Sequence, residues 1–432
     1  MLTRLLVPAP VLLSLLVLGC DPTKPPEEEK GTVTPPSETT NEPPTGPGTT
    51  PQPWALAVPI PSGLWESGAV VTVSRLHASR PAQESVTVLS AGTQEFKVEA
   101  VEGEVLAVSV QERTGGLVEA ATASKPSHPW PGQGHLPRVL LVPQHYASIQ
   151  AAVDVAGPGD TVRVLPGTYV ETVRLKSGIR LLGSGARHTF LDGGGKPVKL
   201  VDFSGASDVV VSGFTFQNVG SGGSEGCSRD VMLCAGMWYP AGVFADGHTF
   251  FGEDPTSGLI THNVFQGNHI ALMLYFQARA VIRNNIFTGN THGFVANHFQ
   301  DVALIANNVF WDNAEHAIVS QAAYLDILNN VIARSEIGIL HGHVQTGRIR
   351  CNAFFQNGVN GADIHAVPPR FEIGRDGNLE LEPRFENPEA GDFRVRPGSP
   401  LIDAGCFEGG GFDLEGSRQD VGAYGGALGQ WP

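Results

Sequence analysis

The sequence predicts an all-β chain: a solenoid of stacked parallel coils preceded by a small antiparallel β domain. Three observations predict it. The first is a repeat: Asn263-Val264-Phe265, Asn285-Ile286-Phe287, Asn308-Val309-Phe310, Asn330-Val331-Ile332 and Asn352-Ala353-Phe354 recur at spacings of 22, 23, 22 and 22 residues. Each leading Asn is followed five positions later by another small polar residue: Asn268, Asn290, Asn313, Ser335 and Asn357. A period in the low twenties with Asn at a fixed phase marks a solenoid. The second is the alternation of apolar and polar residues in 54–123, as in Glu95-Phe96-Lys97-Val98, which reads as antiparallel strands. The third is composition: 53 glycines in 432 residues, aromatics that are mostly Phe, and few helix-favouring charged residues.

A single coil cannot bury its own apolar side. Stacked on like neighbours it can, and each strand then pairs in parallel with the rungs above and below. At roughly 4.8 Å per rung, the repeat region makes about 20 Å of rod. The leading Asn suits a turn because Asn tolerates the left-handed conformation. Stacked Asn side chains can hydrogen-bond from rung to rung, and the Phe two residues on enters one interior file.

These repeats resemble those of right-handed parallel β-helix proteins of the pectin-lyase-like superfamily, over about 139–424. The resemblance implies the fold, and that fold hosts many chemistries.

Residues 1–20 read as an export signal, with Arg4 ahead of a short apolar run at 11–18. Val17-Leu18-Gly19-Cys20 resembles a bacterial lipobox, which implies cleavage before Cys20 and lipidation of that residue; a plain signal peptide is the alternative. Residues 21–53 are rich in Pro, Thr, Glu and Gly and read as a disordered tether. Residues 54–123 read as a sandwich-like domain without a metal or catalytic cluster, and so as a spacer or binding module. A Pro- and Gly-containing linker at 124–137 leads into the β-helix at 138–424.

Ser148 is placed to cap a short helix, Ile149-Gln150-Ala151-Ala152-Val153-Asp154, that covers the open end of the first coil. Turns at Pro158-Gly159-Asp160 and Pro166-Gly167-Thr168-Tyr169 flank the strand Thr161-Val162-Arg163-Val164, a block similar to the opening of pectin-lyase-like proteins. Another rung lies at 209–216. The register returns only at Asn263, 49 residues after Phe214, so 220–257 holds a long excursion of the kind that sits on a binding face. The segment 380–424, with Pro397-Gly398-Ser399-Pro400 and Asp420-Val421-Gly422-Ala423-Tyr424, resembles the closing segment of exported bacterial β-helix proteins. The sequence stops at Pro432 without the sorting tail such segments often precede, consistent with an anchor at the other end.

Setting Cys20 aside, four cysteines remain in an exported chain, an even number that favours disulfides over a metal cluster. Cys227 and Cys234 are expected to pair within the excursion. Cys351 reaches Cys406 if the C-terminal segment folds back along the rod. Net charge is −15, which argues against nucleic acid as a partner. No Lys follows Lys199. A Lys base, as several families of β-helix polysaccharide lyases use, would therefore need Lys196 or Lys199 to reach the groove; an Arg base would leave Arg283, Arg348 and Arg350.

Sorting residues by repeat phase gives two polar files. Thirteen after the leading Asn come His298, Gln321, His343 and His365; seven after it come His292 and Glu315, with His269 and Glu336 one position earlier. Alternation puts His341 on the face of His343. The files read either as a solvent-facing strip that bonds sugar hydroxyls or as an ordinary solvated face. In the excursion, Trp238 and Tyr239 can stack on sugar rings. Asp246, His248, Glu253 and Asp254 can supply an acid/base pair or oxygen ligands for Ca²⁺. Otherwise Phe250 and Phe251 merely pin the loop and the acids are solvated. The candidate catalytic groups are thus Asp246, His248, Glu253, Asp254, His298 and His343. The candidate substrate-binding groups are Trp238, Tyr239, His292, Glu315, His341 and Arg283.

The resulting expectation is a monomeric cell-envelope lipoprotein, held to the membrane at its N-terminus and facing the periplasm or exterior. Its β-helix binds a polysaccharide. If the chain is an enzyme, the resemblance implies a polysaccharide lyase or glycoside hydrolase. The alternative is a non-catalytic structural or adhesive surface protein.

Overall fold

The computed structural model describes residues 54–60, 64–77, 80–101, 104–112, 117–123, 137–221, 239–247, 256–298, 300–342, 347–363, 371–406 and 417–426, with residues 413, 429 and 431. The expected export signal and lipobox at 1–20 with Cys20, the expected tether at 21–53, and the expected Cys227–Cys234 pair lie outside them. Among the described residues, no helix is long and apolar enough to cross a membrane.

From Val139 onward each coil gives one strand to each of three parallel sheets. Sheet I holds eight strands, Val173–Arg174, Lys199–Asp202, Ala241–Asp246, Ile270–Tyr275, His292–Ala296, His316–Gln321, Ile337–Gly342 and Val359–Asp363. Sheet II holds nine, from Val139–Val142 to Ile349–Arg350, and sheet III nine, from Gly167–Tyr169 to Leu379–Glu380. This is the expected parallel β-solenoid. Helix α1, Ile149–Val155, caps its first coil: the Ser148 hydroxyl accepts the Ala151 N–H at 3.2 Å, and Ile149, Ala152 and Val153 join the interior.

The repeat positions do what their regularity implies. Phe216, Phe265, Phe287 and Phe310 stack with ring centroids 4.5 to 5.0 Å apart, the rung spacing of a parallel sheet. From Asn263 through Asn285, Asn308, Asn330 and Asn352 to Asn378, each amide Nδ2 donates to the next Oδ1 at 3.0 to 3.2 Å. Asn268, Asn290 and Asn313 form a second ladder at 3.0 Å. One detail differs from expectation. The left-handed residue is the one before the leading Asn: His262, Asn284, Asn307, Asn329 and Cys351, with φ between 52° and 55°. The leading Asn instead spends its side chain on the turn, as when Asn308 Nδ2 bonds the Ile282 and Ala306 carbonyls at 2.9 and 3.0 Å.

The small domain pairs Trp54–Pro59 with Glu95–Ala100 and sets this ribbon against a four-stranded antiparallel sheet of Arg80–Leu89, Ala69–His77, Val105–Glu112 and Leu117–Ala123. It does not stand off as a spacer. Leu76, Ala82, Val105 and Ala107 pack on the outward side chains Val210, Leu259, Val281 and Leu304 of sheet II. Arg283 pairs here with Glu84, their side chains 1% and 0% exposed, and donates to Ser74 Oγ at 3.2 Å. Asp326 accepts the Ala82 N–H at 2.5 Å and pairs with Arg348 at 3.3 Å.

Sheet III is covered by the chain's own end. Phe385, Phe393, Leu401, Val421 and Ala423 pack over Ile286, Val309, Trp311 and Val331. The Cys351–Cys406 disulfide, Cα atoms 5.8 Å apart, fastens this return, as the fold-back reading required.

Candidate functional site

The outer face of sheet I is the third side of the rod. Its middle ladder, Phe244, Met273, Val295 and Val319, is apolar and buried. Polar groups gather at the two ends of the strands.

At the strand ends that run into the next turn, Asp246 lies level with Tyr275. The Tyr275 ring sits 5.5 Å from Tyr239 and 5.8 Å from His298, and Phe276 lies 3.6 Å from His298. Tyr239 is hydrogen-bonded with Asn297, and burial pushes its phenol up. The turn is held from beneath by Asp301, fully buried, which accepts the N–H groups of Ala278 at 3.0 Å and His298 at 3.1 Å. Burial pushes that carboxyl up to about 8 against these bonds. Lys199 also lies on this face, its ammonium 3.3 Å from the centre of the Phe244 ring. Burial holds it below the usual lysine range while Asp202 and Asp246 pull it back.

At the opposite strand ends, His292 stands directly beside His316 on the next rung. Their Nδ1 atoms are 3.0 Å apart and the rings are stacked at 5.1 Å. Glu315 Oε2 lies 3.8 Å from His292 Nε2, and the His269 ring meets His292 edge-on at 5.5 Å. Burial first, then His316 and His269, push the His292 imidazole down to about 3. One ligand atom from each of His292, Glu315 and His316 falls within 4.8 Å of the others, so these three residues can hold a metal ion.

Several sequence expectations shift in register. The strand beginning at His316 starts eight residues after its leading Asn, where its neighbours start seven after theirs. His292 therefore stacks on His316, not on Glu315. These imidazoles are only 2% and 9% exposed, so they do not form a solvent-facing strip. His341 continues the ladder of Ala245, Leu274 and Ala296, whose side chains belong to the interior, and lies 6.1 Å from the Phe371 ring. Arg283 faces the small domain on sheet II, not the groove. Trp238, His248, Phe250, Phe251, Glu253, Asp254, His343 and His365 lie outside the described residues; of the Ca²⁺ set, Asp246 alone is described.

The structure thus brings together Tyr239, Asp246 and His298 at one end of sheet I, and His292 with Glu315 at the other. Sequence reasoning missed Tyr275, Phe276, Asn297 and His316. The extra residue between Asn313 and the following strand was the readable signal for His316. Tyr275 and Phe276 carried none beyond being aromatic at a strand end.

Residues 242–366 match the model of a family described as periplasmic copper-binding protein (NosD). No curated protein matches the chain. Among solved structures, the A-module of the mannuronan C-5 epimerase AlgE6 of Azotobacter vinelandii aligns at 17% identity and TM-score 0.31, covering 50% of this chain and 73% of that one. The catalytic unit of a thermostable GH87 α-1,3-glucanase from Streptomyces thermodiastaticus aligns at 11% and 0.32, covering 72% and 68%. A PL6 family alginate lyase, AlyGC, aligns at 13% and 0.28, covering 52% and 40%.

Proposed function

We propose that this chain is a cell-envelope protein whose solenoid binds a polysaccharide along the outer face of sheet I. The observation that carries the reading is the convergence of Tyr239, Asp246, Tyr275, Phe276 and His298, with Tyr275 in contact with both Tyr239 and His298. Aromatic faces suit the CH surfaces of sugar rings, and the neighbouring carboxyl, imidazole and amide can bond hydroxyls. A repeating polymer laid along the stack meets equivalent backbone positions at every rung. The other two faces are occupied by the small domain and the C-terminal segment, which supports sheet I as the working side.

The lipobox-like end of the export signal supports lipid attachment at Cys20, and the family's periplasmic description supports an envelope address. The test is a glycan array read beside reducing-end and unsaturated-product assays over many polysaccharides. Binding that Tyr275→Ala weakens about tenfold supports the reading; product formation that Lys199→Met abolishes would extend it to cleavage. Empty results in the array and both product assays would sink it.

A further inference from the structure

Seen along its own ladder, the His292–His316 pair is out of place. The equivalent positions on the other rungs are Lys199, Ala241, Ile270, Ile337 and Val359. Four of these five are apolar, with Ile on both flanking rungs. Two buried imidazoles at such a position lose solvation and call for polar partners. The long Asn ladders satisfy their amides through repetition over many rungs. The His pair spans two rungs and ends.

We propose that His292, His316 and Glu315 form a binding site for a divalent first-row transition metal. The parallel register fixes the two rings side by side and brings their Nδ1 atoms to 3.0 Å. Two ligands at metal–nitrogen distances near 2.0–2.1 Å in a tetrahedral set are separated by roughly 3.3 Å, so the imidazoles need only small ring adjustments. Glu315, 36% exposed at its side chain and with Oε2 3.8 Å from Nε2 of His292, supplies the third ligand once its flexible side chain swings to the Nδ1 edge of the pair. Two imidazoles with one carboxylate suit Zn²⁺ or Cu²⁺, whereas Ca²⁺ and Mg²⁺ favour all-oxygen sets. Three protein ligands leave a position open for water or an external donor. The site lies at the opposite end of the sheet I strands from the Tyr275 patch, roughly 15 Å away along a strand of this length. It does not depend on the polysaccharide reading.

The test uses the full chain, stripped with chelator and dialysed, and titrated with zinc sulfate and with copper sulfate in a calorimeter. One equivalent is expected to bind with a micromolar or tighter constant. His316→Ile, which places the flanking rungs' own residue in the ladder, is expected to weaken binding by about a hundredfold or more, and Glu315→Gln by about tenfold. His188→Ala, on an exposed turn residue, is expected to change nothing. Electron paramagnetic resonance of the copper-loaded chain should show coupling to two imidazole nitrogens, a readout independent of whether any variant folds. A wild-type chain binding neither ion more tightly than about 1 mM, undiminished affinity in a folded His316→Ile chain, or coupling to fewer than two nitrogens would each overturn the proposal.

Discussion

On sheet II the outward ladder Val210, Leu259, Val281 and Leu304 meets another β-sheet, and polar groups among those strands are matched across the contact, Arg283 to Glu84 and Asp326 and Arg348 to the Ala82 backbone. On sheet I an outward ladder of the same kind, Phe244, Met273, Val295 and Val319, runs between two polar clusters at the strand ends. The difference lies in where the partners come from. On sheet II Arg283 is answered by Glu84 of the small domain, and the Asp326–Arg348 pair binds the Ala82 backbone, so these charges serve assembly. Polar groups on sheet I include pairs made within the rod itself, His292 with His316 and Tyr239 with Asn297. A charged residue on a repeat face is therefore not evidence of a binding groove until its partner is known.

The largest effect should come from breaking the sheet II side. Arg283→Ala leaves Glu84 buried without a counter-charge and should cost about 3–5 kcal/mol in denaturant unfolding. Pairing Arg283→Met with Glu84→Leu should recover most of that loss, because the cost is the stranded charge. Asn308→Ala attacks the scaffold common to both faces. It removes the donor to the Ile282 and Ala306 carbonyls and the acceptor for Asn285, and should cost about 2–3 kcal/mol in the same measurement.

Tyr275→Ala sharpens the sheet I side. Glycan affinity should fall about tenfold with little change in melting temperature, and unaltered affinity would remove Tyr275 from the site.

The smallest effect is a pH dependence at Asp301. Burial sets its folded pKa at about 8, above the ordinary 3.8. The folded state then holds the proton more tightly, so this stabilisation is complete below the ordinary pKa and is lost as pH rises through about 8. Between pH 6.5 and 7.5 stability should decline by about 1 kcal/mol, and Asp301→Asn should flatten that slope.

The solenoid was legible because its determinants repeat: Asn and Phe at a fixed phase have neighbours like themselves, so sequence spacing and spatial contact coincide. The capping helix was legible from Ser148, and the Cys351–Cys406 staple from cysteine parity and a fold-back. The docking of the small domain was not, since Glu84 lies 199 residues from Arg283 and neither belongs to a pattern. The site was half legible. Counting from the leading Asn located His292, Glu315 and His298, but one extra residue before His316 moved the register and hid the imidazole pair. Strand direction, which sends His341 inward, needed the pairing itself.

Glu84 also touches a third part of the chain. Gln419 Nε2 donates to Glu84 Oε1 at 3.5 Å, and Asn284, next to Arg283, donates to the Ala423 and Gly425 carbonyls at 3.0 and 2.9 Å. An early strand, a middle rung and the closing segment thus share one buried knot. Because a chain emerges N-terminus first, Glu84 must wait through more than three hundred residues of synthesis for its last contact. A product cut short before Gln419 would carry a complete-looking rod with an unfinished seam. Closing that seam therefore falls to the last part of the chain to be made, although most of the rod's own pairing is complete before it.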